Sequence, residues 1–337
     1  MTKSNDKATT IGSGTTALGA VGAANEVGTS RNEHVAMSQP SRNGGLAAVR
    51  SRQGLLFTIP ALILLAFSVV YPILWALNLS VHTLDIINPE RSGRFVGLDN
   101  YAEILGSPDF QSALLFTGGF VVTTLILELL VAFPIALLLH RGLPGTSIFR
   151  LIFSSPLMVA PIVAGMLWQF MFADQYGAVN NLLTAFGLRG PLWLADVWGA
   201  RASVIIANLW LATPFNVLIL LAGMATLPEE LFEVARIDGA RGDQLFRHIM
   251  LPLLRPALLI ILVIRLTDAF RVFDIVYILT GGGPGGATQT LSVFIYKEIF
   301  TRLHFAQGSA ASFIMLGVTI VLSIFVIRVL RPKETIA

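Results

Sequence analysis

The chain has 337 residues, of which 54% are hydrophobic and only 13% are charged, and its formal net charge is +3. Soluble domains carry about 25% charged residues, so this composition excludes an ordinary soluble globular protein. The absence of cysteine and the scatter of the five histidines exclude disulfides, thiol nucleophiles and zinc–thiolate sites. With no basic patch and no cofactor motif, neither a nucleic-acid partner nor a bound cofactor is expected.

The first 50 residues differ from everything that follows. They are rich in Gly, Ala, Ser, Thr and Asn and contain no Phe, Tyr or Trp. Such a stretch buries too little apolar surface to offset the entropy of ordering, so residues 1–50 are predicted to be a disordered tail and residues 51–337 a membrane domain. The tail lacks the pattern of a signal peptide, and a translation start at Met37 stays open.

Six long apolar segments follow the tail, and each is long enough to cross about 30 Å of hydrocarbon as a helix. Backbone amides inside lipid must be satisfied within the segment, which favours helices over open strands. The sequence therefore predicts an all-α integral membrane protein with six transmembrane helices, at residues 54–80, 112–139, 149–172, 203–225, 257–279 and 308–330.

The distribution of Lys and Arg predicts the orientation. Six such residues lie at one set of segment ends, at Arg91, Arg94, Arg189, Arg201, Lys297 and Arg302. Twelve lie at the opposite ends, at Arg42, Arg50, Arg52, Arg141, Arg150, Arg236, Arg241, Arg247, Arg255, Arg328, Arg331 and Lys333. The positive-inside rule puts both termini and the 226–256 loop in the cytoplasm. Trp193 and Trp198 then fall near the outer interface.

The 226–256 loop reads as an amphipathic helical hairpin. Thr226 and Glu229 have capping-box spacing, and Gly239 is suited to end the helix in the left-handed backbone conformation. The first helix is predicted to group Leu231, Phe232 and Ala235 on one apolar face, and a second helix is predicted over about 241–251, ending at Pro252. Three interpretations are compatible with this pattern: a helix in the lipid interface, packing between spans, and docking into a groove on a partner.

The residues of this loop also carry a family resemblance. Glu233-Val-Ala235, then Gly239, then Ile249-Met-Leu-Pro252 resembles the EAA loop of binding-protein-dependent ABC permeases, with Val234 in place of the middle alanine. The longer pattern, from Pro228-Glu-Glu to Leu253-Leu-Arg-Pro256, is similar to that of the carbohydrate branch. This branch includes maltose-, trehalose- and glycerol-3-phosphate-type importers. The resemblance covers residues 54–337 and implies the ABC type I importer permease fold, with the loop as a coupling-helix hairpin.

The resemblance implies a set of partners and roles. A second permease subunit, in a heterodimer more readily than a homodimer, would complete the passage in the cytoplasmic (inner) cell membrane. Cytoplasmic ATP-binding subunits would supply the energy, and an extracytoplasmic solute-binding protein would deliver a carbohydrate such as an oligosaccharide, a disaccharide or a polyol. The residues expected to couple ATP hydrolysis to transport are Leu231, Phe232, Glu233, Ala235, Asp238 and Gly239.

The predicted fifth span holds four charges, which are costly in lipid unless they are paired. Their spacing of three predicts the pairs Arg265–Asp268 and Arg271–Asp274 on one continuous helix. Glu128 in the second span needs a partner, for which Arg265 and Arg271 are the candidates. These charges are compatible with two roles: stabilising the bundle or its contact with a second permease subunit, and lining a hydrophilic passage. The expected passage residues are Phe270, Phe273, Asp274, Tyr277, Asn208 and Trp210, with Phe215 and Trp168 as weaker candidates.

Other functions find less support in the sequence. No G-x-x-x-x-G-K-[ST] motif is present, so the chain is not expected to be an ATPase or any other enzyme. The Gly281–Gly286 run reads as a flexible turn, which in the similar family lies near the docking site of the binding protein. An ion-driven secondary transporter would show internal repeats, and no convincing repeat is seen. A membrane enzyme or an assembly factor has no motif to support it, whereas import of glycerol-3-phosphate by the same machinery stays open.

Overall fold

The computed structural model describes residues 58–84, 89–142 and 144–330. The predicted disordered tail, with Arg42, Arg50 and Arg52, lies outside these residues, as do Arg331 and Lys333. The chain divides into two units, residues 1–61 and 62–337, and the contacts below belong to the second. Apart from an isolated bridge between His82 and Phe95, the regular structure of the described residues is helical.

The described part of the chain contains thirteen helices of six or more residues, a short 3-10 helix at Pro89–Arg91 and a π-helix at Lys297–Thr301. The thirteen helices are α1 (Thr58–Ser80), α2 (Asp99–Gly106), α3 (Pro108–His140), α4 (Thr146–Met158), α5 (Pro161–Met171), α6 (Ala178–Ala185), α7 (Val197–Met224), α8 (Glu229–Ile237), α9 (Gly242–Leu253), α10 (Arg255–Phe270), α11 (Asp274–Thr280), α12 (Leu291–Tyr296) and α13 (Phe305–Leu330).

Four of these helices, α1, α3, α7 and α13, are each long and apolar enough to cross a membrane. Two bent pairs also qualify: α4 with α5, bent by 102°, and α9 with α10, bent by 66°. By length and composition, the described residues therefore contain four candidate membrane spans, or up to six if each bent pair counts as one. The all-helical prediction is confirmed, but two of the predicted spans are not continuous helices.

The interruptions have different origins. Between α4 and α5, Ala160 has an extended backbone (ψ 139°) directly before Pro161, because a residue that precedes proline is disfavoured in the helical region. The predicted fifth span is also interrupted, since α10 ends at Phe270 and α11 begins at Asp274. The prediction of one helix over 257–279 was therefore wrong. No glycine or proline lies at this second break to indicate it in the sequence.

The centre of the bundle is the contact between α3 and α7, which run in the same direction. Near their starts the guanidinium of Arg201 lies 5.7 Å from the ring centre of Phe116. Further along, the side chain of Asn216 donates to Glu128. Small residues on α3 and α7 let the two helices approach closely, as is usual for helices packed in membranes: Ala113, Thr117, Thr124, Ala132, Ala136, Ala200, Ser203, Val204 and Ala207 are all buried.

The glycine-rich segment after α11 is a turn closed by hydrogen bonds. The hydroxyl of Thr288, which is fully buried, donates to Gly283 O at 2.6 Å and lies 2.8 Å from the hydroxyl of Thr280. Arg201 Nε donates to Ala287 O at 3.1 Å and ties the loop to α7. These bonds fix the loop against the start of α7.

Candidate functional site

The hairpin between α7 and α10 begins differently from the prediction. Thr226 Oγ1 donates to Gly223 O at 2.8 Å, and α8 starts after Pro228 without a side-chain cap. The predicted capping box between Thr226 and Glu229 is therefore absent. Glu229 and Glu230 still lie in the first turn, where negative charge stabilises the helix dipole.

The end of α8 follows the sequence prediction. Gly239 has φ +82°, the left-handed conformation that glycine adopts at low cost. The amide of Ala240 donates to Ala235 O at 2.9 Å and that of Gly239 to Arg236 O at 3.1 Å, closing the helix. The second helix, α9, runs on to Leu253, so Pro252 lies inside it and does not end it.

The apolar side chains of α8 divide between two faces. Leu231, Val234 and Ile237 are 47%, 58% and 85% exposed and follow one another at a spacing of three. Phe232 and Ala235 are half-buried. The predicted single face of Leu231, Phe232 and Ala235 is thus incorrect, because Phe232 turns inwards while Leu231 turns outwards with Val234 and Ile237.

The inward face of α8 borders a cavity of about 680 Å³ between the hairpin and the ends of α3 and α7. Phe232 and Phe246 line it from the hairpin, and Met224 lines it from α7. Glu233, Asp238 and Gly239, three of the predicted coupling residues, are exposed. The hairpin therefore presents an apolar stripe with acidic neighbours to its surroundings.

The buried charges of the bundle meet at Glu128. Arg265 binds this carboxylate through two hydrogen bonds, from Nε and Nη2, both at 2.8 Å. The amides of Asn208 and Asn216 donate to the two oxygens of Glu128 at 3.1 and 2.9 Å. Glu128 is 0% exposed and Arg265 9%. One carboxylate therefore joins α3, α7 and α10, and it accepts four charge-assisted or amide hydrogen bonds, which is the condition under which a buried charge is tolerated.

This cluster corrects the assignment of Asn208, which was expected to contact substrate. Asn208 is 6% exposed, and its side chain donates a hydrogen bond to Glu128. The sequence did not single out Asn216, because an isolated asparagine in an apolar span carries no periodic signal. Its spacing of eight from Asn208, which puts both on one helix face, was the available clue.

The other charges of the predicted fifth span lie nearer the surface. Arg271 Nη2 lies 3.1 Å from Asp268 Oδ1, and Arg265 Nη1 lies 3.6 Å from Asp268 Oδ2. The side chains of Arg271 and Asp268 are 64% and 42% exposed. The predicted Arg271–Asp274 ion pair is not formed between these described residues, because Arg271 lies beyond the end of α10 and turns back towards Asp268.

Aromatic rings gather at the break between α10 and α11. Phe273 stacks on Tyr277 with ring centres 5.0 Å apart, and Tyr296 of α12 lies 5.0 Å from Phe273 and 5.1 Å from Tyr277. We call Phe273, Tyr277, Tyr296 and Phe300 the aromatic cluster; Phe300 adjoins Tyr296 at 5.1 Å. The sequence predicted two of its members and missed the two from the α12 region.

Two more of the expected passage residues lie elsewhere. Phe270 is 3% exposed and packs in the core, so its predicted contact with substrate is corrected. Trp210 meets Trp168 edge to face at 6.1 Å and borders a separate cavity of about 520 Å³ next to α4. Asp274, at the start of α11, is half-buried beside Phe273. Across residues 58–84, 89–142 and 144–330, no group of three acidic or histidine side chains converges as a metal site.

Comparison with known proteins places this arrangement in a family. Residues 128–333 match the family described as "Binding-protein-dependent transport system inner membrane component". The trehalose/maltose transport system permease protein MalF of Thermococcus litoralis is 34% identical over 284 residues, covering 84% of this chain and 95% of that protein. The sn-glycerol-3-phosphate transport system permease protein UgpA of Agrobacterium fabrum is 34% identical over 281 residues, covering 82% and 94%.

The fold has a solved counterpart. A chain of the bacterial alginate ABC transporter, in complex with an alginate pentasaccharide-bound periplasmic protein, superposes with a TM-score of 0.72 at 22% identity, covering 85% of this chain and 97% of that chain. The superposition shows that this chain has the fold of that transporter chain. This chain belongs to the family of binding-protein-dependent transport system inner membrane components, as a multi-pass permease subunit of an ABC importer and not as an enzyme.

Proposed function

We propose that the chain forms half of the passage of a carbohydrate importer. A second, related permease supplies the other half, an extracytoplasmic binding protein delivers the sugar, and cytoplasmic ATP-binding subunits drive alternating access. The observation that carries the proposal is the exposed apolar stripe on α8, because a hydrophobic helix face next to acidic side chains is suited to a groove on a protein partner.

The orientation follows from the positive-inside rule. The hairpin end of the bundle carries Arg141 and Arg150 as well as Arg236, Arg241, Arg247 and Arg255. An excess of Lys and Arg at one end favours the cytoplasm. The hairpin then faces the compartment that contains ATP, as a coupling element requires, and the glycine-rich loop faces outwards.

The coupling hairpin has the parts that force transmission requires. The stripe of Leu231, Val234 and Ile237 supplies the docking contacts, while Glu233 and Asp238 offer charges to a basic partner. Phe232 links the hairpin to the cavity at the ends of α3 and α7. Movement of a docked motor would therefore reach the membrane helices through Phe232, which differs from the sequence-based view of Phe232 as a docking anchor.

The exposed charges at the C-terminal end of α10 support a passage completed by a second subunit. A charge that faces lipid at mid-bilayer costs about 3 kcal/mol or more. Asp268 and Arg271 are substantially exposed on the surface of this chain. Their stability in a membrane requires water or polar groups opposite them, and a passage between two permeases provides both.

The aromatic cluster supports a sugar as the substrate. Aromatic rings contact the C–H faces of sugars, and carboxylates accept hydrogen bonds from hydroxyl groups. Tyr277, which is 36% exposed, and Asp274 lie on α11, which begins three residues after Arg271 of the exposed Asp268–Arg271 pair. The relatives MalF and UgpA are named for trehalose/maltose and for sn-glycerol-3-phosphate transport.

The pairing of the arginines favours an uncharged sugar over glycerol-3-phosphate. A phosphate would need a free cation, but Arg265 is bound by Glu128 and Arg271 by Asp268. Glycerol-3-phosphate is the second candidate because UgpA is as similar to this chain as MalF is.

Reconstituted transport tests the proposal. The permease, its partner permease, the ATP-binding subunits and the binding protein are assembled in liposomes, and uptake of disaccharides, polyols and glycerol-3-phosphate is measured with ATP inside. We expect ATP-dependent uptake of an uncharged sugar that does not respond to ionophores. Uptake driven by an ion gradient without ATP would contradict the importer mechanism, and uptake of glycerol-3-phosphate alone would overturn the choice of substrate.

A further inference from the structure

A groove between α3 and α7 has no role in the coupling or passage sites. It is a cavity of about 660 Å³ near the starts of both helices, remote in sequence from the hairpin. Most of the residues that line it are apolar. Its lining includes Leu115, Phe116, Gly119, Thr123, Ala202 and Ile205.

Arg201 lies at the mouth of this groove, together with Trp198. The guanidinium carbon is 5.1 Å from the ring centre of Trp198 and 5.7 Å from that of Phe116, so two aromatic rings hold the cation in place. Arg201 Nε donates to Ala287 O. None of the ion pairs formed among the described residues involves Arg201. A fixed guanidinium with its terminal N–H groups available is suited to an anion, and phosphate matches its geometry.

The groove has the dimensions of one leaflet of a bilayer. From Ser112 to Thr123 it follows α3 over twelve residues, which is about 16 Å of helix, and half of the hydrocarbon core is about 15 Å. Trp198, the second residue of α7, is 73% exposed, and indole rings favour a membrane–water interface. The cation therefore lies at the level of headgroups, and the apolar groove extends from it towards the bilayer centre.

We propose that this groove is a phospholipid site, with the lipid phosphate on Arg201 and one acyl chain along α3 between Leu115 and Thr123. A ligand with an anionic end and a long apolar end satisfies the cation and the groove together, whereas a free anion leaves the groove unfilled. Because Arg201 also holds the glycine-rich loop through Ala287, the bound lipid stabilises that loop against α7.

Native mass spectrometry of the intact purified chain in detergent, with phosphatidylglycerol added, tests the site. We expect one phosphatidylglycerol to stay bound through detergent exchange. Substituting Arg201→Ala removes a charge-assisted contact and is expected to weaken retention roughly ten-fold. Gly119→Leu fills the groove and is expected to have a similar effect.

Matched variants separate the site from general lipid binding. Gly118 and Gly119 both have open space around an added Cβ, but only Gly119 lines the groove, so Gly118→Leu should retain the lipid. Arg189→Ala removes an exposed arginine elsewhere and should also retain it. Arg201→Lys keeps the charge and should retain most of the lipid, and Gly119→Leu carries the test if Arg201→Ala fails to fold.

Three results would overturn the proposal. The first is equal retention of lipid by wild type, Arg201→Ala and Gly119→Leu. The second is displacement of the lipid by inorganic phosphate, which would identify a site for a free anion. The third is equal binding of diacylglycerol, which has no phosphate.

Discussion

The hairpin of α8 and α9 and the cluster around Glu128 reverse the usual distribution of side chains. In the hairpin, Val234 and Ile237 are exposed although they are apolar. Around Glu128, a carboxylate and a guanidinium are buried although they are charged. A buried charge requires partners within the chain, whereas an exposed apolar stripe requires a partner from outside it.

The difference between the two regions indicates which side chains have their partners within this chain and which do not. Glu128 accepts hydrogen bonds from three side chains, so the cluster functions as an internal strut between α3, α7 and α10. The stripe on α8 has no equivalent covering in the described part of the chain, and its most exposed member, Ile237, is 85% accessible. Substitutions in the strut should therefore affect folding, and substitutions in the hairpin should affect assembly and transport.

Breaking the strut should give the largest effect. Glu128→Leu leaves Arg265 buried without its partner, and removal of one member of a buried ion pair costs about 3–5 kcal/mol. We expect a large fall in the thermal unfolding temperature of the purified chain, measured by tryptophan fluorescence.

The double variant Glu128→Leu with Arg265→Leu removes both charges and should recover much of the lost stability. Glu103→Leu, on an exposed turn of α2, is the control and should be close to wild type. If Glu128→Leu unfolds at the wild-type temperature, the cluster is not a strut.

Gly239→Val should uncouple transport while leaving the protein in the membrane. The added Cβ meets no atom within 4 Å, but φ is +82°, where a residue other than glycine costs about 1–2 kcal/mol. This strain distorts the end of α8 and its stripe. We expect ATP-dependent uptake to fall much more than the amount of inserted protein.

Gly242 is the matched control for this experiment, since it has the same open surroundings without a positive φ. Gly242→Val should transport better than Gly239→Val. Equal, normal uptake by both variants would show that the geometry at Gly239 is not needed for coupling.

Tyr277→Ala and Phe270→Leu distinguish the passage from the core. Tyr277 is partly exposed in the aromatic cluster, whereas Phe270 is 3% exposed. We expect Tyr277→Ala to raise the KM for transported sugar several-fold with little loss of stability. Phe270→Leu should lower the unfolding temperature and leave KM near the wild-type value. A raised KM for Phe270→Leu with a lowered unfolding temperature for Tyr277→Ala would contradict this assignment of Tyr277 to the passage and Phe270 to the core.

The smallest effect is expected for Arg271→Ala. An exposed ion pair in water contributes about 0–1 kcal/mol, and the side chains of Arg271 and Asp268 are 64% and 42% exposed. The unfolding temperature should therefore change little. A loss as large as that of Glu128→Leu would mean that Asp268 faces lipid and not a watery passage.

The end of α8 was predictable because its signal is local, whereas its cap, its apolar face and the end of α9 were not. Gly239 ends the helix with a positive φ, a backbone conformation that the residue type alone indicates. The direction of Phe232 was not predictable, because it depends on the cavity formed with Met224 and Phe246. Helix periodicity groups neighbouring side chains but does not identify the side that the rest of the protein covers.

The strut was only partly predictable for the same reason. The cost of a charge in lipid required a partner for Glu128, and it limited the candidates to Arg265 and Arg271. The choice of Arg265, and the addition of Asn208 and Asn216, depend on contacts between residues 80 to 137 positions apart. The break after Phe270 has no glycine or proline to mark it, so the aromatic cluster around Phe273 and Tyr296 could not be assembled from the sequence.

The central claim is that the outward stripe of α8 docks on an ATP-binding subunit. The chain has no cysteine, so single substitutions Ile237→Cys and Phe232→Cys give crosslinks without background. In the assembled transporter, Ile237→Cys should crosslink to an ATP-binding subunit, and Phe232→Cys should not. Crosslinks from Ile237→Cys to lipid or to this chain alone would contradict the claim.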